Sequence, residues 1–85
     1  MTYRISKQKL NMMGEPIKGA RRKICLNMYN IPNKEKAIND ALAYLNSLPE
    51  RDYAYRYELV EALRWKHVCY FRWSRYSSKW IVAET

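Results

Sequence analysis

Residues 2–10, TYRISKQKL, alternate along the chain, with Tyr3, Ile5 and Lys7 on one side and Arg4, Ser6 and Gln8 on the other. A period of two predicts a strand, and its polar content places that strand at a sheet edge. Residues 11–20 carry both glycines and one of the three prolines, which marks a loop. In residues 21–30, Ile24, Leu26 and Met28 share one face. The reading is a second strand, closing a β-hairpin over a long basic loop.

Asn30, Pro32 and Asn33 break the strand, and Asn33 is a fitting N-cap. Ala37, Ile38, Ala41, Leu42, Leu45 and Leu48 then recur at helical spacing, predicting an amphipathic helix over residues 33–47 that ends at Pro49. Residues 50–66 carry two periods at once. Tyr53, Tyr55, Tyr57 and Leu59 alternate as a strand does. Yet Glu58, Leu59, Glu61, Ala62, Leu63 and Arg64 are strong helix formers, with Glu50 and Asp52 suited to a first turn. Propensity favours a second helix here, with a strand as the alternative. Residues 67–74, HVCYFRWS, are β-branched and aromatic and read as a strand. Tyr76, Ser77 and Ser78 turn the chain, and Lys79 to Ala83 return as a last strand. On the strand at residues 67–74, Trp73 shares a face with Phe71 and Cys69, the face expected to be buried.

The expected architecture is therefore one small α+β domain over residues 1–85. Its order is β-hairpin, helix, second helix, β-hairpin, forming an antiparallel sheet covered on one face by helix, with residues 11–20 as an exposed loop. Leu, Ile, Val and Phe total only 17 of the 85 residues, so the core must lean on eight Tyr, three Trp and four Met. No apolar run is long enough to span a membrane, and the first residues lack the apolar stretch of a signal peptide. Cys25 and Cys69 are too few for a secreted disulfide framework. A cytoplasmic setting with both thiols as small buried groups is the expectation, one disulfide the alternative.

Charge changes this picture most. The net charge of +8 is unevenly spread: residues 1–23 hold seven Lys and Arg against Glu15, a surplus of six. Residues 24–48 balance, and residues 49–85 carry a surplus of two. Such a concentration points to an anionic partner rather than a merely solvated surface. Aromatics lie among these charges, and rings that stack on bases beside cations that meet phosphates are the chemistry of single-stranded nucleic-acid binding. The contacts expected for phosphate are Arg4, Lys18, Arg21, Arg22, Lys23, Arg72 and Lys79, and for stacking Tyr29, Tyr70 and Tyr76. A winged-helix mode fits less well, because the presumed recognition helix sets Glu50, Asp52, Glu58 and Glu61 against Arg51, Arg56, Arg64 and Lys66.

Catalytic chemistry has little purchase on the sequence. There is one histidine, His67, with no zinc-ligand spacing and no phosphate-cradling glycine motif, so no cofactor is expected. The enzymatic reading with most support is a small toxin-like ribonuclease, with His67, Tyr70 and Arg72 as its reactive groups. A third class is a protein-binding inhibitor or adaptor, of the short, motif-poor kind that phages use for host takeover and anti-defence. It would cover an acidic or nucleic-acid-binding surface, with Met12 and Met13 as flexible apolar contacts. The expected module is thus a nucleic-acid binder, or alternatively a protein binder, acting away from membranes as a monomer or homodimer.

Overall fold

The computed structural model describes residues 1–19, 21–49 and 55–83. Five strands and one helix follow in the order β1 (Tyr3–Lys9), β2 (Lys23–Met28), α1 (Lys34–Ser47), β3 (Tyr55–Glu61), β4 (Lys66–Ser74) and β5 (Lys79–Ala83). The strands form one antiparallel sheet in the order β2-β1-β3-β4-β5. This is the small α+β class expected.

The helix begins where the sequence placed it. Asn33 holds extended backbone (φ −156°, ψ 172°), and its Oδ1 accepts from the Lys36 amide at 2.8 Å, satisfying one of the orphan donors of the first turn. Ala37, Ala41 and Leu45, four residues apart, form the buried stripe of α1. They pack against Tyr3, Ile5, Met28, Tyr57, Leu59, Cys69, Phe71 and Trp80. Small residues at 37 and 41 let the helix backbone approach the sheet, while larger side chains from the strands fill the interface. Each fully buried Ile, Leu or Phe in that interface contributes about 1.5–3 kcal/mol of transfer free energy.

The segment expected as a second helix is a strand. Tyr55–Glu61 runs through the middle of the sheet between β1 and β4, and Ala62–Trp65 turn it into β4. The remainder of that expected helix, residues 50–54, lies outside the described residues. Local propensity lost to tertiary context. Tyr55, Tyr57 and Leu59 face the helix while Arg56, Glu58 and Val60 face away, and strands on both sides satisfy this backbone. The layout of hairpins shifts with it. β1 pairs with β3 as well as with β2, so it is an interior strand and not an edge. Its polar side chains mark an uncovered face rather than an uncovered edge.

Two bulges adjust the faces. Between β1 and β2 the register shifts at Ile5/Ser6, so Leu26 opposes Ile5 but Ile24 opposes Ser6. Ile24 thereby leaves the side of Leu26 and Met28 and is 52% exposed, contrary to the expectation that the three share a face. A second shift at Leu59/Val60 sets His67 opposite Val60.

On β5, the Trp80 amide donates to Asn46 Oδ1 at 2.8 Å, and Asn46 Nδ2 donates to the Trp80 carbonyl at 3.4 Å. A helix side chain therefore takes the place of a neighbouring strand at that point, blunting the edge. Among the described residues, no helix is long and apolar enough to cross a membrane.

Candidate functional site

The helix covers one face of the sheet, and no described element covers the other. The open face is organised in rows of cross-strand neighbours. Asn27, Arg4, Val60 and His67 form one row, and Ile24, Ser6, Glu58, Tyr70 and Ala83 the next. Gln8 stands opposite Arg56, and Arg72 opposite Ile81. The β3–β4 pairing ends at Tyr57–Phe71, and Arg56 and Arg72 are the next residues beyond it.

Long side chains lie flat across this face. The Arg56 guanidinium is 4.0 Å from the centre of the Tyr70 ring and donates to Gln8 Oε1 at 3.5 Å. Arg4 lies 4.9 Å from the Trp65 ring centre and donates through Nε to Asn27 Oδ1 at 2.7 Å. Cation–π contact and shared packing pre-order both arginines. The result is visible beneath them, where Val60 and Ser6 are 0% and 1% exposed although no described element packs on their side. Trp65 reaches this face from the β3–β4 turn with φ 51°, a left-handed conformation unusual for so bulky a residue.

Glu58 is the one carboxylate of the open face among the described residues. It is buried, with its two oxygens engaged separately: Arg22 Nη1 lies 3.1 Å from Oε1, and His67 Nδ1 2.6 Å from Oε2. A carboxylate can only accept, so the His67 Nδ1–H donates and Nε2 is left for other partners. The His67 ring also lies 4.5 Å from the Tyr70 ring. The face thus presents Arg4, Arg22, Arg56 and Arg72 around one neutralised acid.

The residues expected to bind divide by location. Arg4, Tyr70 and Arg72 lie on the open face, and Arg22 reaches it through Glu58. Lys23 opposes Lys7 on the helix side. Lys18 and Arg21 are exposed in the connecting loop, Tyr29 is 66% exposed beyond β2, and Tyr76 and Lys79 are exposed at the β4–β5 turn. Met12 and Met13 are fully or nearly fully exposed on the loop. Sequence reasoning missed Arg56, Trp65 and Gln8. The alternation of Tyr55, Tyr57 and Leu59 was the signal for Arg56, because a strand there must turn residue 56 to the polar side.

At one end of the sheet, where β3 begins and β4 runs to its turn, a cleft of about 620 Å³ opens. Arg56, Arg72 and Arg75 line it together with Tyr55, Tyr70 and Trp73, and no carboxylate among the described residues does. No group of His, Cys, Asp and Glu among the described residues is arranged to hold a metal ion. Neither thiol is an activated nucleophile. Burial pushes Cys69 up to about 11, countered by Lys34 and reinforced by Glu58, and burial raises Cys25 against the opposing charge of Lys7. No protein-family model, curated protein or solved structure matches this chain.

Proposed function

We propose that the protein binds single-stranded nucleic acid on the open face of its sheet, with the loop cations Lys18 and Arg21 adding long-range attraction. One observation carries the reading: a face that no described element covers, which among the described residues has four arginines, three aromatic or imidazole rings and a single carboxylate that is buried and doubly engaged. Flat rings offer stacking to any base, and pre-ordered guanidinium groups offer phosphate contacts at low entropic cost. A side chain-rich sheet face suits a splayed single strand better than a duplex groove, which admits a helix or a two-stranded ribbon.

Fluorescence anisotropy with single-stranded and duplex oligonucleotides at two salt concentrations tests the reading. Single strands should bind more tightly, and binding should weaken steeply with salt. Changing Arg4, Arg56 and Arg72 together to Gln should lower the slope of log affinity against log salt by about 2, since each phosphate contact on a single strand contributes roughly 0.7. Absence of binding at low salt, or an unchanged slope in the triple variant, would overturn it.

A second reading, RNA cleavage, rests on the contact between His67 and Glu58 at 2.6 Å, which orients an imidazole beside Tyr70. An RNA oligonucleotide incubated with the protein in a chelator decides it. Cleavage lost in His67→Gln supports the reading, and intact RNA removes it.

A further inference from the structure

The three arginines at the cleft exceed what the fold requires. Arg56 and Arg72 lie on β3 and β4 just beyond the last paired residues, Tyr57 and Phe71, and both line the cleft, where gathered like charges repel one another. Arg75 adds a third positive charge to the lining. Arg72 and Arg75 pair with no carboxylate among the described residues, whereas Arg22 has Glu58. Three guanidinium groups gathered without a counter-charge among the described residues are complementary to an anion of more than one charge. An internal phosphodiester carries a single charge, while a terminal phosphomonoester carries about −1.5 to −2 at neutral pH and three acceptor oxygens. Most of the remaining lining is aromatic, with Tyr55, Tyr70 and Trp73 among it, while Leu10, Gly14 and Ala83 complete the wall, and about 620 Å³ is the size of a small-ligand site.

We infer that this cleft receives the phosphorylated terminal nucleotide of a single strand, with the phosphomonoester among Arg56, Arg72 and Arg75 and the base against the aromatic wall. The inference rests on the reading of the open face as a single-strand surface and makes the cleft its end stop. Arg56 belongs to both, stacked on Tyr70 along the face and lining the cleft with Arg72. A strand lying on the face would run from Arg4 and Trp65 at one end to its phosphate at the other.

The test is anisotropy with one labelled octanucleotide in three forms: 5′-phosphorylated, 3′-phosphorylated and unphosphorylated. One phosphorylated form should bind roughly tenfold or more tightly than the unphosphorylated strand, and which form does so identifies the end that is read. The double variant Arg72→Gln, Arg75→Gln should erase that preference, whereas Arg4→Gln should weaken all forms alike and preserve it. Arg72 and Arg75 are both exposed, and an unchanged thermal midpoint confirms that the double variant folds. Equal binding of all three forms overturns the end-reading and leaves the face as proposed. A preference that survives the double variant places the phosphate elsewhere and overturns the assignment to this cleft. No binding of any form overturns the reading of the face and this inference with it.

Discussion

Trp65 shows how a single residue can be held in place against its own backbone preference. A left-handed φ of 51° is costly for a large side chain, and the strain is retained where the ring meets Arg4 on the open face. Trp65→Gly should therefore leave the thermal midpoint unchanged or raise it, because glycine adopts that φ freely. The same variant should weaken single-strand binding by about 1–3 kcal/mol if the ring stacks on a base. Calorimetry and anisotropy on one preparation check both halves. Cys69 makes a different kind of statement. Its thiol is raised to about 11 by burial, so the folded state holds the proton that the unfolded chain releases near 9. That contribution is complete at neutral pH and is lost as pH rises from about 9 through 11, giving reduced stability at high pH. A disulfide reagent at pH 8 should accordingly label half-buried Cys25 before Cys69, with both reacting together in denaturant.

Among the elements, α1 and β3 differ in what determines them. The helix carries its own instructions: a cap at Asn33, an apolar stripe at 37, 41 and 45, and a chain that leaves helical geometry at Leu48 with ψ 134°. Asn33→Ala should cost about 1 kcal/mol in a denaturant titration. β3 carries conflicting instructions. Its alternation was legible, but so was its helix propensity, and the sequence does not say that strands would lie on both sides. Those strands decide the outcome, since they supply backbone partners and bury Leu59 and Val60 completely. Hydrogen exchange should therefore find β3 amides among the slowest in the chain and the edge strand β2 faster. Leu59→Ala, at the centre of the core, should destabilise by about 2–5 kcal/mol. Fast exchange along β3 would contradict its central place.

At the scale of the molecule, the sheet sorts the positive charge by face. The run Arg21-Arg22-Lys23 reads in sequence as one cluster, yet Arg22 is committed to Glu58 and Lys23 lies on the helix side beside Lys7. Arginines distant in sequence form the real group: Arg4, Arg56 and Arg72 come from three strands. Changing residues 21–23 together to Ala should thus reduce the salt slope of binding by less than changing Arg4, Arg56 and Arg72 to Gln, a comparison that anisotropy makes directly.

What the sequence determined by itself is local: the capped helix, the strand identity of β1, β2, β4 and β5, and the pairing of basic with aromatic residues along them. Those features are written in periods of two and 3.6 and in turn residues, all within a few positions of one another. The face on which each charge lies was decided by tertiary structure. Two bulges moved Ile24 and His67, and the insertion of β3 between β1 and β4 carried Arg56 to the side of Tyr70 and Arg72. Because adjacent residues of a strand point to opposite faces, one register shift or one misassigned element reverses the sidedness of every residue it contains. The composition of the basic surface was thus readable from the chain, and its geometry required the sheet.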